Sequence, residues 1–249
     1  MDTSALTDDF QVPLYHGTSS LFLSGILEHG LGGWNPIEEW RVVDFAKELL
    51  PYVHQNLGSD QRWMVKISSF GMMADQLCAG MNYQHGHVYL SPSRSQAIGY
   101  TISKRWGSEL LSFSLDFLDE LTRREAPGVC DDLYQRWRHI FELLQVPAAP
   151  LLIETRGLTE ADLVLERGEP VGHYLQTIIR SYRRESMNPY NIPGACFRLQ
   201  TVVPASRLRI WLMGVHHPFK FDPDYSLFEV PIQRPNRFRG IEGMPVEGT

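Results

Sequence analysis

Two short apolar runs stand out in the hydrophobic pattern of this chain, Leu14-Tyr15-His16-Gly17-Thr18-Ser19 and His87-Val88-Tyr89-Leu90-Ser91. Each carries a polar ring among small or aliphatic side chains, and each runs into a helix start, as a strand does when it hands over to a helix. After the first run, Ser19 or Ser20 can cap a short helix that puts Leu23, Ile26 and Leu27 on one face and closes at Gly30. After the second, Ser93 with Gln96 three residues on has the form of a capping box, which predicts a helix through Ala97, Tyr100 and Lys104. Two such strand-to-helix units can bring His16 and Tyr89 to one cleft.

The rest of the pattern is mixed. Trp40, Val43 and Leu50 recur at roughly helical spacing within 37–57, interrupted near Pro51, and predict an inserted helix pair at about 34–60. Trp63-Met64-Val65-Lys66-Ile67 reads as a strand, followed by a loop up to Gly86, and Leu110–Leu115 reads as another strand by alternation. Leu133, Trp137, Ile140, Phe141 and Leu144 mark a helix with Asp131 or Asp132 near its cap. A second helix is expected after Thr159 and a third through Tyr174, Leu175, Ile178, Ile179 and Tyr182, so 120–190 reads as a helical insertion. Strand character returns at Cys196–Val203, ended by Pro204, and at Leu208–Leu212, while the tail from Arg234 reads as loosely ordered. With no internal repeat, residues 1–249 are read as a single α+β domain with these two insertions.

Composition narrows the function classes. At 249 residues, with 43% hydrophobic and 21% charged residues, the chain can bury a large core. A net charge of -6 argues against a surface that clings everywhere to nucleic acid. Cys78, Cys130 and Cys196 have no CxxC spacing, so neither a disulfide framework nor a zinc site is expected. His85-Gly86-His87 and His216-His217 lack partners at metal-site spacing, and no metal is expected. The acidic start Met1–Ala5 has no apolar core of a leader and no run reaches the length of a membrane span, so a cytoplasmic protein without membrane contact is expected.

The ordered set of His16-Gly17-Thr18, the Val88-Tyr89-Leu90-Ser91 strand, the capped helix and Tyr100, eleven residues after Tyr89, resembles the NAD-binding core of the ADP-ribosyltransferase superfamily. The likeness is to the His-Tyr-Glu branch that includes diphtheria toxin and the poly(ADP-ribose) polymerases, over about 12–33, 86–117 and 195–212. It implies a split antiparallel β-sandwich around an NAD cleft. It also implies roles for named residues: His16 on a ribose hydroxyl, Gly17 clamping the nicotinamide carboxamide through its backbone, Thr18 as the small polar residue beside it, and Tyr89 and Tyr100 stacking on the pyridinium. The family's glutamate falls at Arg198–Pro204, where Gln200 is the best match. Glutamine can hold a hydroxyl but cannot take a proton, which favours single transfer over chain elongation, with Glu229 as the alternative carboxylate.

The activity implied is mono-ADP-ribosyl transfer from NAD, as co-substrate, to a macromolecular acceptor, nucleic acid or protein, with release of nicotinamide. By analogy the setting is an intracellular toxin held in check by an antitoxin or immunity protein. Two rival readings stand beside it. A tRNA 2′-phosphotransferase would need Arg94, Lys104 and Arg105 to point into the cleft, and a silent module would bind NAD or ADP-ribose without turnover.

Overall fold

The first apolar run forms strand β1, Leu14–Ser19, in which every residue except His16 is buried. The computed structural model describes residues 12–75, 85–165, 168–183, 196–217 and 224–232. At the end of β1 the Ser19 hydroxyl accepts from the Leu21 N–H at 3.4 Å and caps a single 3-10 turn, and helix α1, Leu23–His29, closes at Gly30 with φ +82°. The second run gives a short strand β2, Tyr89–Leu90, and helix α5, Arg94–Ser103. Ser93 caps α5 by accepting from the Gln96 N–H at 3.3 Å. Only this half of the expected box is made, because the Gln96 side chain turns to the Ser91 hydroxyl at 2.9 Å and to Cys196 Sγ at 3.8 Å.

Two antiparallel sheets are built around these strands. One has the order β1-β3-β6-β7, with β3 at Pro150–Thr155, β6 at Leu208–His217 and β7 at Asp224–Glu229. The other has the order β2-β5-β4, with β4 at Leu163–Leu165 and β5 at Phe197–Leu199. They join at one bridge: Tyr15 and Ser91 exchange both backbone hydrogen bonds at 2.8 Å, and no further rung follows among the described residues. The sheets therefore diverge just past Tyr15.

Helix α5 lies across β1 and β3 and is tied to them by a buried hydroxyl. Thr101 Oγ1 donates to the Thr18 carbonyl and accepts from the Leu151 N–H at 3.1 Å, taking both sides of the Thr18–Leu151 pair. The remaining helices are α2, Pro36–Glu39; α3, Val42–Leu57; α4, Met64–Asp75; α6, Glu109–Arg123; α7, Tyr134–Leu143; and α8, Gly172–Arg183. Helices α3, α4 and α6 pack on one another around Phe45, Leu49, Phe70 and Phe117. Pro51 lies inside α3 without ending it. Its cost of about 3 kcal/mol is outweighed by Phe45, Leu49, Val53 and Leu57, all fully buried, at roughly 1.5–3 kcal/mol each.

Four expectations are corrected. Trp63–Ile67 is not a strand: residues from Met64 on open α4. Leu110–Leu115 is not a strand either but the start of α6, whose buried residues Leu110, Leu111, Ser114, Leu115, Leu118 and Leu121 continue at helical spacing beyond the six-residue window that looked alternating. The segment 120–190 is not wholly helical, since it contributes β3, the central neighbour of β1, and β4. After Thr159 there is only one 3-10 turn, Glu160–Asp162, closed by a capping box between Thr159 and Asp162. The loop leading to Gly86 falls partly, and the tail from Arg234 wholly, outside the described residues. No helix among the described residues is long and apolar enough to cross a membrane.

Candidate functional site

A cavity of about 330 Å³ opens where the two sheets part. His16, Gly17, Tyr89 and Tyr100 all line it, together with Ser91, Gln96 and Cys196 on one side and the 85–87 and 107–109 segments on the others. The volume falls at the lower end of the range for small-molecule sites.

His16 is positioned by the divergence of the strands. Its Nδ1–H donates to the Tyr89 carbonyl at 2.8 Å, which fixes the tautomer and leaves Nε2 as a free acceptor. Burial lowers its pKa from the usual imidazole value, and the bond to Tyr89 opposes this only in part, so the ring is neutral at pH 7. A neutral imidazole of this tautomer can receive a hydroxyl proton in a hydrogen bond.

Gly17 presents its peptide groups to the same space. Tyr15 directs both its N–H and carbonyl across the seam to Ser91, and strand alternation makes those of Gly17 point the same way. Opposite Gly17 the Tyr89 carbonyl is already engaged by His16, so no backbone rung forms there. The other face of Gly17 is closed: a Cβ would lie 2.2 Å from the Ala97 carbonyl oxygen of α5. The close approach of the helix therefore requires glycine here.

Tyr89 and Tyr100 both line the cavity, from β2 and from the exposed face of α5. Burial, then the neighbouring Glu109 charge, pushes the Tyr100 phenol far above its ordinary range, so it stays protonated. Thr18 does not line the cavity. It is buried, and its hydroxyl donates to the Gly107 carbonyl at 3.3 Å, pinning the loop that leads into α6.

Gln200 and Glu229 are outside the cavity lining. Gln200 is exposed just past β5, its N–H bound to the Asp162 carbonyl at 2.8 Å. Glu229 sits on the edge strand β7 with its carboxylate on Arg209 at 3.2 Å. Three strand spacings, roughly 14 Å, separate β7 from β1.

Sequence reasoning missed the third wall. Gly107, Ser108 and Glu109 line the cavity from the start of α6, where Ser108 Oγ accepts from the Leu111 N–H at 3.1 Å. The available signal was Gly107-Ser108-Glu109 ahead of an apolar stripe, a glycine turn and a helix cap. Arg198, outside the cavity lining, stands opposite Tyr89 in the β2–β5 register, hence on the same face. Burial first and the Arg198 charge second hold the His87 imidazole below its usual range.

The arginines named for a phosphotransferase do not line the cavity. Arg94 stacks over Trp211 and Arg105 over Trp106, while Lys104 pairs with Glu109 at 2.8 Å. Among the described residues no group of three or more His, Cys, Asp or Glu is placed to hold a metal ion. Comparison with family models, with curated proteins and with solved structures finds no match to this chain.

Proposed function

We propose that the protein is an NAD-dependent mono-ADP-ribosyltransferase that passes ADP-ribose to a macromolecule and releases nicotinamide. The observation that carries this reading is the meeting of His16, Gly17, Tyr89 and Tyr100 in one cavity at the point where the two sheets part. The N–H and carbonyl of Gly17, facing the cavity, match the acceptor and donor of a carboxamide, and two aromatic residues suit a cationic pyridinium, at about 0.5–2 kcal/mol for each cation–π contact. The Nε2 of His16, left as an acceptor, suits a ribose hydroxyl. NAD brings a glycosidic bond whose leaving group is a neutral amide ring. The chain then has to bind, orient and shield that bond while charge develops on the ribosyl carbon.

The positions of Arg94 and Arg105 away from the cavity weigh against the phosphotransferase alternative. Incubation with NAD labelled in the nicotinamide ring, followed by chromatography of the free base, tests the activity. The same incubation with adenine-labelled NAD, with protein and nucleic acid resolved on gels, identifies the acceptor class. Label retained as unreacted NAD on a protein that binds it would sustain a silent binding module, and absence of both binding and release would sink the reading.

A further inference from the structure

We infer that Glu109 supplies the carboxylate of this site, in place of a glutamate at the Gln200 position; the inference rests on the transferase reading above. Among the described residues that line the cavity, Glu109 carries the sole carboxylate. Gln200 is tethered outside toward the 160–162 turn, and Glu229 lies outside the lining, on the edge strand β7.

The position of Glu109 is built and not incidental. Thr18 Oγ1 holds the Gly107 carbonyl, and Gly107, at φ +83°, is wedged so closely against β1 that a Cβ would meet Phe22 at 2.7 Å and the Ser19 backbone nitrogen at 2.9 Å. Ser108 caps α6, and Lys104 Nζ grips the Glu109 carboxylate at 2.8 Å from the end of α5. Helices α5 and α6 thus deliver the carboxylate beside Tyr100, whose phenol senses its charge.

In the reaction the bond between the ribosyl carbon and the nicotinamide nitrogen breaks, and its electron pair leaves with nicotinamide as a neutral ring. The positive charge left on the ribosyl oxygen and carbon is stabilised by the Glu109 carboxylate. An acceptor N–H or O–H then gives its lone pair to that carbon and its proton to Glu109, which releases it to solvent. NAD and acceptor become ADP-ribosyl acceptor, nicotinamide and one proton.

The test is steady-state turnover and calorimetric NAD binding for the wild type and Glu109→Gln, with melting temperatures as the folding control. Glu109→Gln should bind NAD about as well as the wild type while kcat falls at least about 100-fold, the usual worth of a positioned acid or base. In Glu109→Ala, added formate should restore a measurable part of kcat, which a merely structural carboxylate would not allow. Wild-type kcat in Glu109→Gln, or no response of Glu109→Ala to formate, would overturn the assignment while leaving the transferase reading intact. A wild type that neither binds NAD nor frees nicotinamide would remove both.

Discussion

Gly17 has no room for a methyl group. The Ala97 carbonyl oxygen occupies the place of its Cβ, so Gly17→Ala has to push α5 off β1, and overpacking of this kind costs about 1–3 kcal/mol. Urea denaturation should show that loss. Gly99, on the open side of the same helix with nothing within 4 Å of its Cβ position, is the matched comparison. Gly99→Ala should gain up to about 1 kcal/mol through helix propensity. If both alanines behave alike, the close approach at Gly17 is not what limits stability.

His16 gives a pH dependence with a definite sign. Burial holds the folded-state pKa below the ordinary 6.5, so the unfolded chain binds the proton more readily. The contribution of the neutral ring is complete above pH 6.5 and is lost as pH falls through and below that value. His87 is shifted in the same direction. Wild-type stability should therefore decline on acidification below pH 6.5, and His16→Gln should decline less steeply in the same denaturation series. Parallel slopes for the two proteins would move the effect to other groups.

At the scale of elements, α5 is joined to two strands by a single hydroxyl. Thr101→Val keeps the shape but leaves the Thr18 carbonyl and the Leu151 N–H without that partner. Buried polar groups left in this way cost about 1–3 kcal/mol each. The melting temperature should fall, and because Thr18 also holds the loop of Glu109, turnover should fall further than NAD affinity. A kcat equal to wild type would separate the ladder from the loop.

The two strand-to-helix units were legible because their signals are local: an apolar run, a serine cap, a glycine stop. Ser19, Ser93 and Gly30 do in the structure what their chemistry indicated. Strand β3 was not legible, since Leu151, Leu152 and Ile153 are all fully buried and show no alternation, and a short apolar run has no readable period. The same limit hid the start of α6. With 110–115 taken as a strand, Glu109 stood at no helix start and attracted no notice. Gly17 and Thr18 were singled out by motif, but their packing against Ala97 and Gly107 joins distant residues that no local pattern links.

For the molecule as a whole, binding and stability are linked. A ligand that binds only the folded chain at 100 times its Kd adds about 2.7 kcal/mol, which for a chain of this size is a rise of roughly 5–10 °C in Tm. Scanning calorimetry with and without NAD should show such a shift, and Tyr100→Ala, which removes a ring that is 39% exposed at the cavity, should need roughly tenfold more NAD to reach it. An unchanged Tm at saturating NAD would count against the cleft as its site.

The single bridge between Tyr15 and Ser91 carries a consequence for synthesis. Nearly all of the cavity lining is encoded before residue 110, yet β1 needs β3 beside it and β2 needs β5, and these strands are translated only after residues 150 and 197. One bridge cannot hold two lone strands in register, since a two-stranded pairing is marginal by itself, and such distant pairings form late. A nascent chain arrested near residue 140 would hold most of the cavity residues and no cleft, so ribosome-bound chains of that length should release no nicotinamide. The cleft is complete only once the second half of the chain has emerged.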